Sequence, residues 1–503
     1  MKQRKGWLVA LAACALLWAH AVVAATTTAD MRGPFVAEHR VTIGGRVVHY
    51  RSEVAEQVLP GPDGKPAASV YTISYLRTDL SGDQARPVLF AFNGGPGSSS
   101  LWLHLGLLGP RRIALGADPL RPSTTPPFEW VDNAESPLDV ADIVLIDPPG
   151  TGMSRVLKDG NPAQFYSAQG DAAATVQVIE DWIRQHHRWN APKYLLAESY
   201  GTVRAALVAR LLAGGPTETG DMDAVTLNGV VLLGQALDLR DAGDLQFVTA
   251  LPSLAATACF HGRAHPGCDP VAQASAARRF AASEYLTALY QGARLGAAEK
   301  VAVADALSSL MGLAPEVIER HDLRITDAEF AKLLLADQGL QLGMYDARYT
   351  LPSVSSGKDP VADDPAMGQY APAFVAGFKQ YLYDNLRVHG APAYRAIAFR
   401  DVNARWNYGL GPGVPPDQDF ALDLAIAMRR NPALRLMVGC GLYDLVTPMG
   451  KAEYTITHAG IPLDRTSFHV YPSGHMAYLG DAARRRLAAD LRAFIQRGGA
   501  DAR

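Results

Sequence analysis

The chain lacks any excess of positive charge. Its 47 lysines and arginines are outnumbered by 50 aspartates and glutamates, so the formal net charge is −3 at pH 7. No basic patch is visible, which argues against a nucleic-acid partner or an electrostatic membrane contact. Histidine, cysteine, aspartate and glutamate do not cluster at metal-ligand spacing either. The sequence therefore predicts no metal site and no cofactor.

Long apolar runs are also missing, except near the N-terminus. There, three basic residues precede an apolar tract at 7–23, and small residues end it. This is the pattern of a secretory signal peptide over residues 1–24, cleaved after Ala24 or Ala25, and the tract is short for a membrane span. We expect a secreted or periplasmic protein with no membrane contact after cleavage. Removing Lys2, Arg4 and Lys5 leaves a net charge of −6.

Cysteine is scarce, since three of the four cysteines remain after the predicted cleavage. An oxidising compartment permits disulfides. Cys259 and Cys268 lie nine positions apart in a stretch with glycine, histidine and proline, so we predict that they pair. Cys440 is then the unpaired thiol, and it is best explained as a small buried apolar residue.

A serine lies at the centre of a small-x-Ser-x-Gly turn. The apolar run 194–197 leads to Ser199, and a helix-forming run over 203–212 follows. This layout is that of a nucleophile elbow, which exposes a serine hydroxyl at the top of a sheet. Its backbone crowding requires small residues two before and two after the serine, here Ala197 and Gly201. A buried serine at an ordinary strand-to-helix junction fits this stretch equally well.

A glycine-rich loop favours the elbow. The apolar strand 87–92 runs into Asn-Gly-Gly-Pro-Gly-Ser-Ser-Ser at 93–100. α/β-hydrolases place an oxyanion-hole amide after an early strand, and glycines let backbone N–H groups approach a reacting carbonyl. A phosphate-binding loop is the alternative, but this stretch lacks the Lys-Ser/Thr ending, and Pro96 removes a donor.

Strands and helices alternate in two parts of the chain. Residues 39–54 predict a β-hairpin around Gly44-Gly45. Further strands are predicted at 69–76, 142–147, 229–234, 435–439 and 467–471, and helices at 172–189, with Asp171 as a possible N-cap, 417–430 and 481–497. Residues 30–238 and 391–503 are thus expected to form an α/β-hydrolase core with a mostly parallel mixed sheet flanked by helices. The alanine-rich residues 239–390, with helical runs near 272–291, 297–311, 326–336 and 373–385, predict an inserted helical cap.

An elbow serine needs a base and an orienting acid on loops after later strands, in the order Ser, Asp/Glu, His. Asp444 follows the strand 435–439, and His475 follows the strand 467–471. Each residue alone has an ordinary explanation, as a turn cap or a solvated loop histidine. Their joint occurrence in this order predicts a triad with Ser199. Asp147 is the second candidate acid, but it precedes the serine and suits a turn.

Five ordered blocks resemble the serine carboxypeptidase family (peptidase family S10) of α/β-hydrolases, and the chain looks like a bacterial-type member. The blocks are Asn93-Gly94-Gly95-Pro96-Gly97-Ser98-Ser99, Ile146-Asp147-Pro148, Glu198-Ser199-Tyr200-Gly201, Gly441-Leu442-Tyr443-Asp444 and Gly474-His475-Met476. The resemblance runs from about residue 35 to the C-terminus, with the cap only loosely matched.

The resemblance implies a role for each matched residue. Ser199, Asp444 and His475 are implied to form the catalytic triad, and the N–H groups of Gly95 and Tyr200 the oxyanion hole. The implied substrate-binding residues are Asn93, Gly94 and Glu198, with Asn93 and Glu198 on the terminal carboxylate of a peptide. No cofactor is implied.

Three positions depart from the family pattern. Ser98 stands where many members have a disulfide cysteine, and Ala91 replaces an aromatic residue. Leu107 occupies the place of a second carboxylate-binding glutamate in eukaryotic members. The last departure weakens the case for strict recognition of a free C-terminus and leaves the hydrolase chemistry intact.

Three functions are weighed on this basis. A secreted serine carboxypeptidase acting through an acyl-enzyme on peptide substrates is the leading hypothesis. An esterase or acyltransferase on the same scaffold is the second, and Leu107 favours it. A non-catalytic binding protein is the third, and the intact order of the triad residues argues against it. The sequence indicates no oligomeric state.

Overall fold

The computed structural model describes residues 33–80, 85–116, 118–220, 222, 224–355, 357, 359–390 and 392–500, without the side chains of 218, 219 and 498–500. The predicted signal peptide, residues 1–24, lies outside the described residues. Within them, no helix combines the length and the apolar character that crossing a bilayer requires.

A mixed sheet forms the centre of the described chain. Its strands are β1 (Phe35–Ile43), β2 (Arg46–Pro60), β3 (Pro66–Arg77), β4 (Val88–Phe92), β7 (Asp142–Asp147), β8 (Arg155–Val156), β9 (Lys193–Glu198), β10 (Gly229–Leu233), β13 (Arg435–Gly441) and β14 (Thr466–Tyr471). The strand order is β1-β2-β3-β7-β4-β9-β10-β13-β14, with β8 paired to β3. Pairs from β1 to β7 are antiparallel, and those from β7 to β14 are parallel. The predicted mostly parallel mixed sheet is confirmed.

Both faces of this sheet are covered by helices, as its sequence requires. The central strand β9 is buried at every position. Because successive side chains of a strand point to opposite faces, Leu195 and Ala197 enter one hydrophobic cluster, while Tyr194 and Leu196 enter the other. A strand buried on both faces has a continuous apolar sequence. This is why residues 194–197 could be recognised as a strand.

The predicted helical stretches contain helices; the helix at 297–311 has the predicted ends, and the other helices are shifted at one end or both. The helices are α1 (Leu101–Leu103), α2 (Pro162–Phe165), α3 (Ala168–Gln185), α4 (Gly201–Leu212), α5 (Pro216–Thr219), α6 (Leu245–Phe260), α7 (Pro270–Phe280), α8 (Leu286–Gln291), α9 (Ala297–Met311), α10 (Pro315–Arg320), α11 (Asp327–Leu333), α12 (Met367–Asp384), α13 (Ala421–Arg430), α14 (Met449–His458) and α15 (Asp481–Ala500). Short π-helical turns occur at His104–Leu108 and Ala281–Tyr285. Two small hairpins lie outside the central sheet, β5 (Arg111–Ile113) with β6 (Trp130–Asp132), and β11 (Leu340–Leu342) with β12 (Thr350–Pro352).

The predicted start of α3 is wrong. The N-cap is Ser167, whose hydroxyl accepts a hydrogen bond from the Gly170 amide at 3.1 Å. Asp171 lies inside the first turn instead, fully buried, where its Oδ2 pairs with Arg204 Nε at 2.6 Å. A tertiary ion pair therefore uses the carboxylate that the sequence pattern assigned to a local cap.

The inserted segment 239–390 is mostly helical in the structure and also carries the β11–β12 hairpin. Its exact boundaries stay a prediction. The helix α6 was not predicted, since it is apolar on nearly all sides and contains Pro252. Cys259 at the end of α6 forms the predicted disulfide with Cys268, and Cys440 is a buried free cysteine.

Candidate active site

The turn between β9 and α4 has the backbone of a nucleophile elbow. Ser199 adopts a φ of +59°, which is rare for a residue with a side chain and marks local strain. Its amide donates to the carbonyl of Leu233 at 2.9 Å, so the neighbouring strand β10 holds the turn in place. The helix α4 begins two residues later, and its N-terminal end carries a partial positive charge beside the serine.

Close backbone contact around the elbow requires glycine at two positions. A Cβ on Gly94 would lie 2.4 Å from the amide nitrogen of Tyr200, and one on Gly201 would lie 2.9 Å from the carbonyl oxygen of Asn93. Neither distance is tolerated by real side chains. The glycine loop and the elbow are therefore packed backbone against backbone, as small residues at these positions predicted.

The predicted acid and base are in contact. His475 Nδ1 lies 2.8 Å from Asp444 Oδ2, and both side chains are buried. The Asp444 carboxylate also accepts from the Thr447 hydroxyl at 2.5 Å and from the Thr447 amide at 2.9 Å. Because Nδ1 faces a carboxylate acceptor, the neutral imidazole carries its proton there and leaves Nε2 free to accept one.

Charge interactions shift the pKa values of this pair. Burial alone raises the pKa of Asp444, but the charge and hydrogen bond of His475 and the bonds from Thr447 lower it below its ordinary value. Burial likewise lowers the pKa of His475, but the charge and hydrogen bond of Asp444, together with the charges of Glu198 and Asp364, raise it above its ordinary value. The arrangement keeps the acid ionised and makes the imidazole a stronger base.

Ser199 and His475 line one cavity together with the glycine loop. The loop contributes Asn93, Gly94 and Gly95 to its wall, and Glu198 completes the polar part. The apolar part is formed by Trp102, Tyr345, Met367, Ile397 and Met476. The structure thus brings the predicted nucleophile, base and substrate-binding residues to one cavity, with the predicted acid directly behind the base.

Two backbone amides at this cavity are free to bind an anion. Within the described residues, neither the Gly95 nor the Tyr200 N–H donates a hydrogen bond. Gly95 has a φ of +103°, a conformation that glycine adopts without strain. Two amides without partners are what the predicted oxyanion hole requires, and the assignment of that role to Gly95 and Tyr200 stays a prediction.

Glu198 is a buried carboxyl next to Ser199. Its Oε1 accepts a hydrogen bond from Asn93 Nδ2 at 2.7 Å, and the Asn93 Oδ1 accepts from the Leu103 amide at 3.1 Å. Burial raises the pKa of Glu198 from 4.5 to about 7, even though the nearby His475 charge lowers it. Glu198 is therefore a neutral hydrogen-bond donor over the acidic range.

The other residues singled out in the sequence have structural roles and do not belong to the triad. Asp147 Oδ1 accepts from the amide and hydroxyl of Ser100 at 2.8 and 2.7 Å, so this carboxylate supports the glycine loop. Leu107 is fully buried in the apolar core and offers no polar group. The Ser98 hydroxyl accepts from Trp102 Nε1 at 2.9 Å. No group of His, Cys, Asp and Glu side chains in the described part of the chain could hold a metal ion.

Several residues at the site were missed by sequence reasoning. Thr447, three residues after Asp444, could have been found as a hydroxyl on the same loop. Tyr345 and Met367 come from the inserted segment, and no local motif marks them. The Tyr345 carbonyl accepts from the His475 amide at 2.6 Å, and its ring lies edge-on to the imidazole at 5.4 Å. The inserted segment therefore fixes the loop that carries His475.

Comparison with known proteins gives one family match. Residues 75–245 match the sequence profile of the serine carboxypeptidase family. The matched segment contains the glycine loop and the elbow, and it ends before Asp444 and His475. No curated protein matches the chain.

A solved structure shares the fold. A prohormone-processing carboxypeptidase from Saccharomyces cerevisiae, Kex1, is 14% identical with a TM-score of 0.53, over 90% of this chain and 92% of that one. Weaker similarities are a proline iminopeptidase from Mycobacterium smegmatis (15% identity, TM-score 0.37, 89% of this chain and 100% of that one) and a soluble variant of a monoglyceride lipase from Saccharomyces cerevisiae (11%, 0.38, 89% and 96%). The fold is that of the α/β-hydrolases.

Proposed function

We propose that this chain, in which residues 75–245 match the serine carboxypeptidase family, cleaves the last peptide bond of peptides through an acyl-enzyme on Ser199. The observation that carries this proposal is Glu198, a buried carboxyl with a pKa raised by burial to about 7, at the wall of the cavity that holds Ser199. A neutral carboxyl beside the nucleophile suits a substrate that itself ends in a carboxylate.

The chemistry begins with the attack of Ser199 Oγ on the carbonyl carbon of the scissile bond. Its proton passes to Nε2 of His475, while Asp444 accepts the Nδ1–H at 2.8 Å and stabilises the imidazolium. The amides of Gly95 and Tyr200 donate to the oxyanion of the tetrahedral intermediate. His475 then returns the proton to the leaving amine, and water attacks the acyl-enzyme by the same route in reverse.

Recognition of the C-terminus rests on Glu198 and Asn93. At acidic pH Glu198 is neutral, and its carboxyl O–H donates a hydrogen bond to the terminal carboxylate of the peptide. When Glu198 ionises, the two negative charges repel and binding weakens. The inserted segment supplies Tyr345 and Met367 to the same cavity, and we propose that this helical cap covers the site and favours apolar side chains next to the scissile bond.

A digest of a mixed peptide library, read by mass spectrometry, tests this function. The expected products are peptides shortened by one residue at a time from the C-terminus. The Ser199→Ala variant serves as the control and should produce none of them. Internal cleavage, or the absence of any shortening by an enzyme whose Ser199 reacts with a fluorophosphonate, would rule out the carboxypeptidase.

An esterase or acyltransferase is the second candidate. Leu107 favours it, because this buried residue leaves Glu198 without a second acid at the subsite. Matched free-acid and amide-capped peptides separate the two functions. A carboxypeptidase loses kcat/KM for the free acid as Glu198 ionises, while the capped peptide follows His475 alone. Identical alkaline limbs for both substrates would favour the esterase.

We also propose that the enzyme acts outside the cytoplasm, either secreted or periplasmic, as a free protein without a nucleic-acid partner. The signal-like residues 1–24 and the Cys259–Cys268 disulfide support this location. Expression of the full chain followed by fractionation and N-terminal sequencing tests it. A mature N-terminus at Ala25 or Thr26 in the exported fraction is the expected result, and an uncleaved chain retained in the cytoplasm would contradict it.

A further inference from the structure

Two buried polar atoms, one of them on the residue next to Ser199, have no hydrogen-bond partner among the described residues. They are Oε2 of Glu198 and the hydroxyl of Tyr478. The two groups are neighbours. Burial is the largest influence on each pKa, and it raises both. In addition, the Tyr478 hydroxyl lowers the pKa of Glu198, and the Glu198 charge raises the pKa of Tyr478. A buried donor and acceptor in this position gain from bonding to one another.

Tyr478 shares a rigid turn with His475. The Leu479 amide donates to the Met476 carbonyl at 2.9 Å, which closes the turn. The Ser473 hydroxyl lies 3.0 Å from the Met476 carbonyl and 2.9 Å from that of Leu479, so it ties both ends of the turn together. The segment that presents the base therefore also fixes the phenol.

The chain makes room for this phenol at Gly106. A Cβ on Gly106 would lie 2.2 Å from Cε2 and 2.7 Å from Cδ2 of Tyr478, so no other residue fits there without moving the ring. The ring is 1% exposed and does not line the cavity that holds Ser199. Tyr478 consequently reaches the substrate only through Glu198.

We propose that Tyr478 is a positioning residue, whose phenol donates to Glu198 Oε2 while Asn93 Nδ2 donates to Oε1. The two donors hold the carboxyl in the orientation that receives the terminal carboxylate of a peptide. This role rests on the proposed carboxypeptidase function and adds a residue that no motif pointed to.

The test compares Tyr478→Phe with the unaltered enzyme on free-acid and amide-capped peptides across pH. Glu198 faces His475, Asp444, Asn93 and Tyr478, and losing the phenol removes the one tyrosine donor to it. The pKa of Glu198 then rises, so the alkaline limb for the free acid moves to higher pH. At the optimum, KM for the free acid should rise about tenfold with kcat retained, and the capped peptide should be unaffected.

Tyr370→Phe is the matched control, because the Tyr370 hydroxyl is equally buried and unpartnered among the described residues but does not face Glu198. It should leave the alkaline limb in place. Calorimetry in the Ser199→Ala background gives a second readout without turnover. There, Tyr478→Phe should weaken binding of the free-acid peptide and leave binding of the amide-capped peptide unchanged.

Three results would overturn the inference. If the alkaline limb of Tyr478→Phe does not move and its affinity for the free-acid peptide is unchanged, the positioning role is excluded. The proposed carboxypeptidase function would not be affected by this result. Equal losses for free and capped peptides would assign Tyr478 a general structural role. Failure of the unaltered enzyme to cleave any free-acid peptide would remove both the inference and the proposed function.

Discussion

The buried carboxyl of Glu198 leads to a prediction about the stability of the protein, which can be tested without a substrate. A carboxyl whose pKa rises on folding favours the native state only while it is protonated. Its stabilising contribution is fully present below pH 4.5 and is lost as pH rises through about 7, the pKa that burial imposes on Glu198. Moving a pKa from 4.5 to about 7 corresponds to about 3 kcal/mol between the two protonation states.

Glu198→Gln imitates the neutral form at every pH. The amide oxygen can still accept from Asn93, and the amide nitrogen can donate to the hydroxyl of Tyr478. We therefore expect the variant to match the unaltered protein at pH 4.5 and to exceed its free energy of unfolding by up to about 3 kcal/mol at pH 8. The gain should grow steadily between these two values.

Urea unfolding followed by tryptophan fluorescence at pH 4.5, 6, 7 and 8 measures this difference. Glu316→Gln, on the exposed start of α10, is the control, and a surface change of this kind alters stability by about 0.5 kcal/mol or less. A stability difference for Glu198→Gln that is the same at pH 4.5 and pH 8 would refute the reasoning. It would mean that Glu198 is ionised in the folded protein throughout.

Three further substitutions test the reaction itself. Gly94→Ala places a Cβ 2.4 Å from the Tyr200 amide nitrogen, so the oxyanion donors move and kcat should fall about 100-fold, measured with an ester substrate. Thr447→Val removes the hydroxyl that bonds Asp444 at 2.5 Å and lies 3.1 Å from His475 Nδ1, and a roughly tenfold loss of kcat with labelling retained is expected. Asp444→Asn should lower kcat about 10⁴-fold, and near-full activity would show that another acid orients the base.

The sheet and the elbow could be predicted because their signals are local. Strands buried on both faces are continuous apolar runs, and β7 (142–147) has the predicted ends. The elbow needs small residues at fixed offsets from Ser199, and these are visible in the sequence. Asp444 and His475 could be named because each follows a strand that was itself recognisable.

The failures have a different origin, in contacts between distant parts of the chain. Asp171 was predicted as a helix cap because its ion pair with Arg204, 33 positions away, cannot be detected in the local sequence pattern. The helix α6 has no charged side chain and is buried along most of its length, so its sequence shows little contrast between a polar and an apolar face. Tyr345 and Met367 reach the cavity from the inserted segment, whose sequence carries no motif for this site.

The same electrostatic coupling decides which protonation state reacts. The Glu198 charge raises the pKa of His475, and the His475 charge lowers that of Glu198. The reactive form, with both groups neutral, and the ion pair of glutamate and imidazolium hold the same number of protons, so pH alone does not change their ratio. On the proposed function, a bound substrate carboxylate changes this ratio. Its negative charge beside Glu198 favours the form in which that carboxyl carries the proton. Nε2 of His475 is then free to accept the proton of Ser199. On the proposed function, a free C-terminus therefore helps to prepare the base that cleaves it, whereas a capped peptide meets a site in which part of the imidazole is already protonated.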